Sequence, residues 1–288
     1  MTDRLAMLCM YHRDVLVDTS GSPYVNIQCG RQDSGVALDM CDDSFGESIS
    51  DRNRFWSEIT GLFWAHKNLR LPEYVGLCSY RRFFSGIESN RPLCLTTTEN
   101  ADRVISSINY QSLIEALKTS DIVLPVPYTY RQSVKRVIER NYHSSDFKLL
   151  EYVISEKYPD FLPSFRRVLS GNSLPGHNMF VMHKSKFSNY CEWVFDVLLT
   201  LESLVDPSGY SIDKVRVFGY MHELLLSVYV MHCEFDVKYR QIIWITDDYK
   251  FSRFNGWCYR TASEVAFRLS RPAPTTSFLS LEDYKDGS

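Results

Sequence analysis

Two adjacent arginines, Arg81 and Arg82, follow an apolar run that has the length of a buried strand. The run spans Tyr74 to Cys78, and Tyr80 stands directly before the arginines. In open α/β sheets, ligands bind in the crevice outside the carboxyl ends of the strands. Arginine is always charged and binds phosphate oxygens in a bidentate way. The stretch therefore predicts a diphosphate-binding site, with two surface arginines paired to nearby carboxylates as the alternative.

A second group of candidate residues joins a polar segment at His177 to a helix that carries Glu223 among apolar neighbours. A carboxylate that is partly buried has a raised pKa and can accept a proton from a sugar hydroxyl. We therefore predict that Glu223 is the catalytic base, with a glutamate on the solvent face of the helix as the alternative. The other members of this group are Asn178, Met179, Arg216 and Tyr220.

A glycine-bearing loop that leads into a helix forms a third group, which contains Gln28, Gly30, Ser50 and Asn53. The N-terminus of a helix presents free N–H groups and can hold an anion or a nucleotide. Many strand–loop–helix units share this pattern, so a purely structural loop is the alternative.

A basic segment forms the fourth group. Arg131, Arg136 and Arg140 precede His143 and Asp146, and the arginines at positions 136 and 140 share one helix face. A solvated helix face explains these arginines, and His143 and Asp146 are further candidates for the catalytic base.

Metal motifs are sparse in the sequence. Glycosyltransferases that need a metal usually place Asp-x-Asp after an apolar strand, because carboxylate oxygens hold Mg²⁺ or Mn²⁺ against the diphosphate. Here the matching strand ends in Ser79-Tyr80-Arg81-Arg82, so no metal is expected. Asp247-Asp248 follows an apolar run and is the one place where a carboxylate metal site could lie. The sequence has no P-loop, GxGxxG or GxSxG, which argues against nucleotide kinases, dehydrogenases and α/β-hydrolases.

The composition is that of a globular protein in a reducing compartment. The 288 residues carry a formal charge of −3, which gives no overall attraction to nucleic acid. None of the eight cysteines has CxxC spacing, and several stand in apolar runs, as buried free thiols do. No apolar run reaches the roughly 18 residues of a transmembrane helix. We expect a cytoplasmic protein with no nucleic-acid partner.

Apolar periodicity predicts alternating strands and helices. Residues 5–11 form a predicted first strand, and a predicted helix over residues 53–68 leads through Pro72 into the strand before the arginines. Further helices are predicted over residues 187–204 and 216–229. This alternation indicates an α/β fold with a mixed central sheet flanked by helices. We predict a single domain over residues 1–280 and a disordered tail over residues 281–288.

Seven blocks of the sequence, in order, are similar to one family. They read IQCG, GESIS, RNRFWSEITGLFWAHKNL, YVGLCSYRRFF, DIVLPVP, HNMFVMHKSKFSNYCEWVFDVL and RVFGYMHELLLSVYV. The series resembles a family of bacterial capsular-polysaccharide and O-antigen glycosyltransferases, long known only as a domain of unknown function. Some members of that family are galactofuranosyltransferases. The likeness runs from about residue 5 to residue 235.

The resemblance implies a GT-A-like fold, a UDP-sugar donor and a lipid-linked glycan acceptor. Two departures, Ser79 in place of a histidine and Glu47-Ser48 in place of Asp-Asn, lie next to the implied donor site and bear on which sugar is used. The residues carried over are Gln28, Gly30, Ser50, Asn53, Glu58, Trp64, Lys67, Asn68, Gly76, Tyr80, Arg81, Arg82, Asn178, Met179, Arg216, Gly219, Tyr220 and Glu223.

These observations predict a glycosyltransferase. It would transfer a hexosyl group, with galactofuranosyl as one candidate, from a UDP-sugar to a hydroxyl of a surface-glycan intermediate, with inversion favoured. Arg81 and Arg82 would neutralise the leaving diphosphate in place of a metal. The alternative is a non-catalytic nucleotide-sugar or carbohydrate-binding protein on the same fold. A lipid-linked acceptor further predicts peripheral association with the inner face of the plasma membrane.

Overall fold

The computed structural model describes residues 4–13, 17–89 and 91–247. Within these residues a mixed sheet of ten strands is flanked by helices, and two short strands form a separate sheet. The strands are β1 Leu5–Tyr11, β2 Tyr24–Gln28, β3 Cys41–Asp42, β4 Tyr74–Ser79, β5 Arg82–Phe84, β6 Leu93–Thr96, β7 Ile122–Pro125, β8 Tyr128–Thr129, β9 Ser173–Leu174, β10 Phe180–His183, β11 Val237–Arg240 and β12 Ile242–Ile245. The helices are α1 Asn53–Trp56, α2 Ile59–Asn68, α3 Thr98–Ser106, α4 Tyr110–Ala116, α5 Val134–Asn141, α6 Ser144–Lys157, α7 Leu162–Ser170, α8 Lys184–Glu202 and α9 Val217–His232.

The predicted fold class, α/β with a mixed central sheet flanked by helices, is confirmed. The main path of the sheet runs β11-β7-β10-β4-β1-β2-β3. Strand β1 pairs in parallel with both β2 and β4, whereas β10 is antiparallel to β4 and β7. The carboxyl ends of β1, β2 and β4 therefore meet at one edge of the sheet, which is where a ligand is expected in such folds.

Both faces of the sheet are covered, as the nearly continuous apolar character of β1 and β4 requires. Alternate residues of β1 belong to different cores, Leu8 and Met10 to one and Met7 and Cys9 to the other. The first core includes buried residues of α2, α8 and α9, and the second includes buried residues of α3 and α4.

The predicted helix over residues 53–68 is broken into α1 and α2, which is a correction to the sequence analysis. Ser57 adopts a left-handed φ of 55°, and the side-chain amide of Asn53 donates a hydrogen bond of 2.7 Å to the Ser57 carbonyl. The helical ladder stops there and restarts at Ile59. The break places Asn53, Ser57 and Glu58 around one bend of the chain beside the sheet edge.

In the part of the chain that the structure describes, no helix is both long enough and apolar enough to cross a bilayer. The predicted tail over residues 281–288 lies outside the described residues, so that prediction stays a prediction.

Candidate functional site

A cavity of about 390 Å³ lies at the carboxyl ends of β1 and β2. The end of β1, the bend between α1 and α2, and the loop that leads into α9 supply its walls. Two of the predicted donor-binding residues, Asn53 and Arg216, are among the lining residues. The full lining is Met10, Tyr11, His12, Cys29, Asn53, Arg54, Ser57, Glu58, Tyr210, Ile212, Val215 and Arg216.

His12 connects this cavity to Tyr80 and Arg81. The Tyr80 ring lies edge-on to the His12 ring at 5.0 Å, and its hydroxyl is 3.4 Å from His12 Nε2. The guanidinium of Arg81 lies over the Tyr80 ring at 4.9 Å from the centroid. Burial is the main cause that lowers the pKa of His12 to about 4; the charges of Arg216, Arg13 and Arg81 add to it, and that of Glu58 opposes it. The imidazole is therefore neutral at pH 7, and the positive charge here comes from arginines.

Arg82 takes a different direction from Arg81. Strand β5 pairs Arg82 with Trp244 of β12, and the guanidinium lies over the indole at 5.1 Å from the ring centroid. The Trp244 ring also contacts the ring of His177, at 5.9 Å. The Nε atom of Arg82 is buried and has no hydrogen-bond partner among the described residues. The two guanidinium groups thus lie over different rings, that of Arg81 over Tyr80 and that of Arg82 over Trp244.

Glu223 is partly buried on α9, and its Oε1 accepts a hydrogen bond of 2.6 Å from the His177 amide. Burial is the main cause that raises the pKa of Glu223 to about 7; the charge of Glu58 acts in the same direction, whereas the His177 hydrogen bond and Arg82 oppose it. A base with a pKa near the working pH is suited to general base catalysis. Tyr220, also predicted, lies on the same helix with its ring 4.6 Å from that of Tyr142.

Glu58 lines the cavity and is tied to the predicted residue Asn178. The Asn178 amide donates a hydrogen bond of 3.1 Å to Glu58 Oε1 and one of 3.3 Å to the Gly219 carbonyl. Asn178 is buried, and its Oδ1 is 2.9 Å from Nδ1 of the buried His222. Met179, the next residue, is fully buried in the apolar core and does not line the cavity.

Asp43 organises the glycine-bearing loop from a fully buried position. Its carboxylate accepts hydrogen bonds from the Gly30 amide at 2.9 Å and from the Ser50 hydroxyl at 2.5 Å. It also accepts bonds from the Arg31 amide at 3.0 Å and the Thr60 hydroxyl at 2.6 Å. Ser50, fully buried as well, is thus held by Asp43 beneath the loop, so it is placed to support the cavity rather than to line it.

Gly30 has a φ of 68°, and a Cβ atom there would lie 2.5 Å from the side chain of Asn53. The absence of a side chain at Gly30 therefore lets Asn53 reach the cavity wall. Gln28 is buried, and its side chain bonds to the backbone of residues 36 and 38 at 2.7 and 2.8 Å. It holds the loop and is not part of the cavity lining.

Lys67 does not line the cavity and instead pairs with Glu47 at 3.4 Å. Trp64 and Asn68, carried over with it, bond to the backbone of the loop at Phe45 and Glu47, at 2.7 and 2.9 Å. Glu47, where the sequence departs from the family pattern, is therefore in contact with Asn68 and Lys67.

His143 and Asp146 both contact Tyr210, which lines the cavity. The His143 and Tyr210 rings are 4.2 Å apart, and the Tyr210 hydroxyl donates a hydrogen bond of 2.8 Å to Asp146 Oδ1. Asp146 is buried. Burial of the Tyr210 hydroxyl, together with its hydrogen bond to Asp146, raises the pKa of Tyr210. Neither candidate base lines the cavity.

Asp247 accepts hydrogen bonds from the first residue of α3. Its carboxylate accepts hydrogen bonds from the Thr98 amide at 2.9 Å and the Thr98 hydroxyl at 2.6 Å. Asp248, its partner in the predicted carboxylate pair, lies outside the described residues. Within residues 4–13, 17–89 and 91–247, no three His, Cys, Asp or Glu side chains converge as a metal site would require.

Sequence reasoning did not single out His12 or Tyr210, and it named His177 and Glu58 without giving either a role. His12 directly follows β1, so the rule that ligands lie at the carboxyl ends of strands could have indicated it. The left-handed φ of 75° at His177, which is unusual for a residue that is not glycine, had no signal in the sequence.

Residues 6–234 match a family model described as "Domain of unknown function (DUF4422)". Among solved structures, the chain is similar to one titled "WbbM bifunctional glycosytransferase apo structure", with a TM-score of 0.75 and 21% sequence identity. The match covers 84% of this chain and 45% of that one, so the chain spans less than half the length of its structural neighbour. A search of curated proteins finds no significant match. The likeness in structure agrees with the GT-A-like fold class expected from the sequence.

Proposed function

The chain belongs to the DUF4422 family, and from that premise we propose that it is a UDP-sugar-dependent glycosyltransferase. The reaction transfers a hexosyl group, with galactofuranosyl as one candidate, to a hydroxyl of a lipid-linked surface-glycan intermediate. Support comes from the fold shared with a glycosyltransferase and from a cavity at the carboxyl ends of parallel strands. Such an acceptor would bring the protein to the cytoplasmic face of the membrane.

The observation that carries the proposal is the set of arginines around His12. Arg216 lines the cavity, and Arg13 and Arg81 are close enough to lower the pKa of the same imidazole. None of these arginines forms an ion pair within the described part of the chain. A diphosphate would supply the negative charge that balances them, and the arginines would take the role that a divalent metal has in Asp-x-Asp enzymes.

Glu223 supplies the base in the proposed single displacement. Its carboxylate takes the proton of the acceptor hydroxyl as the hydroxyl oxygen bonds to the anomeric carbon. The bond from that carbon to the diphosphate oxygen breaks, and UDP leaves with its electron pair. Attack from the face opposite to UDP inverts the anomeric centre. Arg82 lies on the side of the base, where its charge lowers the pKa of Glu223 and so favours the ionised carboxylate that accepts the proton.

Thermal unfolding tests the proposal directly. A ligand that binds the native state raises the melting temperature by mass action. We expect UDP and at least one UDP-hexose to raise it in the presence of EDTA, and the preferred UDP-hexose to release UDP slowly. A shift that requires Mn²⁺ would contradict the arginine site. Binding of a UDP-hexose without UDP release, with oligosaccharide acceptors present, would favour the non-catalytic binding protein.

A further inference from the structure

The residues His177 and Asn178 form a left-handed dipeptide just before β10. Their φ angles are 75° and 52°, in a region that residues other than glycine rarely adopt. Such a conformation persists only where the surrounding structure holds it, and it is concentrated at functional sites. In this molecule each of the two residues is held by a different carboxylate.

The dipeptide fixes the two glutamates relative to each other. The His177 amide donates to Glu223 Oε1 at 2.6 Å, and the Asn178 side chain donates to Glu58 Oε1 at 3.1 Å. Because the donors belong to consecutive residues, the dipeptide holds the two carboxylates close to each other. The charge of Glu58 accordingly helps to raise the pKa of Glu223.

A buried chain behind Asn178 sets the direction of its amide. His222 Nδ1 is 2.9 Å from Asn178 Oδ1, and the Tyr190 hydroxyl is 3.1 Å from His222 Nε2. An amide oxygen only accepts, so Nδ1 carries the proton and Nε2 accepts from Tyr190. Burial lowers the pKa of His222 to about 3, which keeps the ring neutral. The amide nitrogen of Asn178 must then point to Glu58.

Glu58 differs from Glu223 in where it lies. Glu58 lines the cavity together with His12 and Arg216, whereas Glu223 is absent from the lining. A carboxylate in a cavity for an anionic donor is repelled by the diphosphate, and its free oxygen is an acceptor that suits hydroxyl groups. Its link to Glu223, the proposed base, places it near the reacting carbon and away from the nucleoside.

On the basis of the proposed function, we infer that Glu58 binds hydroxyl groups of the donor's hexosyl moiety and thereby determines which UDP-sugar is used. Asn178 is a positioning residue for Glu58, and His222 and Tyr190 fix the orientation of Asn178. This assignment gives the two glutamates separate roles, sugar recognition for Glu58 and proton removal for Glu223.

The test compares Kd for UDP with Kd for UDP-glucose, UDP-galactose and UDP-galactofuranose by titration calorimetry. Glu58→Gln should weaken binding of the preferred UDP-hexose by about tenfold, the effect of losing a hydrogen bond to a charged group, while Kd for UDP stays within about twofold. Asn178→Asp tolerates the left-handed backbone but cannot donate to Glu58. It should therefore also raise Kd for the UDP-hexose relative to Kd for UDP. Glu156→Gln, which alters an exposed carboxylate on α6 that does not line the cavity, is the matched control and should change neither constant.

The outcomes separate this inference from the proposed function. If Glu58→Gln leaves the ratio of Kd for the UDP-hexose to Kd for UDP as it is in the wild type, the inference is wrong and the glycosyltransferase proposal stands. If the wild type binds no UDP-hexose, both fall. Circular dichroism of each variant shows whether it is folded, and Asn178→Asp provides a second reading should Glu58→Gln unfold.

Discussion

The guanidinium group of Arg81 lies over the ring of Tyr80, 4.9 Å from its centroid. Tyr80 is buried and packs edge-on against His12, which lines the cavity, so the arginine rests on a fixed aromatic platform. A cation over an aromatic face is attracted by the ring quadrupole and keeps its N–H donors free. The arrangement therefore holds the Arg81 cation in place without using its hydrogen-bond donors.

Arg81→Ala should lower the transfer rate while leaving the fold intact. Removing one preorganised donor to a developing negative charge costs on the order of 2–4 kcal/mol of barrier. Arg216→Ala should act in the same direction, because Arg216 lines the cavity. Steady-state kinetics with the preferred UDP-hexose measure the effect.

Arg140→Ala provides the control for these variants, because Arg140 is exposed near the C-terminal end of α5 and does not line the cavity. Its rate should stay close to that of the wild type. An Arg81→Ala enzyme with unchanged kcat and KM would show that the platform does not serve the diphosphate.

Glu223 should control the pH dependence of transfer. The base must be ionised to take a proton, and its pKa is raised to about 7. We expect kcat/KM to rise tenfold per pH unit below this value and to level off above it. Glu223→Gln should reduce the rate strongly and leave a residual activity without this acidic limb. If the acidic limb of the pH profile persists in the variant, another titrating group causes it.

Much of the sheet could be predicted from the sequence because its strands are apolar along their whole length. Strands β1 and β4 are buried at nearly every position, so residues 5–11 and 74–78 read as strands without knowledge of their partners. The break at Ser57 could not be predicted, since apolar residues recur at helical spacing across it. Only the hydrogen bond from Asn53 and the left-handed φ at Ser57 show where the helix is interrupted.

The site was predictable only where a strand end or a charged residue marks it. Arg81 and Arg216 carry such a signal, and the structure brings both close to His12. Glu58 accepts a hydrogen bond from Asn178, which is 120 residues away in the chain. Ser50 shows the reverse case, because a polar residue at a helix start looked like a ligand and is held by buried Asp43. Long-range hydrogen bonds of this kind leave no local pattern.

Glu223 should also make the protein less stable as the pH rises. The pKa of this group is about 7 in the folded state and 4.5 in the reference state, so the native protein binds the extra proton. Its contribution to the free energy of unfolding is therefore present below pH 4.5 and is lost as the pH rises through 7. Glu223→Gln keeps an oxygen that can accept from His177 and removes this pH dependence.

Urea unfolding at two pH values measures this effect. At pH 8 the Glu223→Gln variant should be more stable than the wild type by roughly 2 kcal/mol, and at pH 4.5 the difference should be much smaller. Glu156→Gln, an exposed control on α6, should show no such change. If the variant is destabilised equally at both pH values, the carboxylate is needed for packing, and its ionised form does not destabilise the folded protein.

Asp43 should be the most important polar group for the stability of the glycine-bearing loop. Each of its carboxylate oxygens accepts two hydrogen bonds, from donors that include the Gly30 amide and the Ser50 hydroxyl. Asp43→Asn has almost the same shape but turns one acceptor into a donor that faces two other donors, so we expect a loss of about 2–4 kcal/mol in the free energy of unfolding. Asp42→Asn, at a partly exposed position whose carboxylate bonds to Ser44, should cost less than about 1 kcal/mol. Urea midpoints at pH 7 compare the two variants, and equal losses would mean that the buried network does not order the loop.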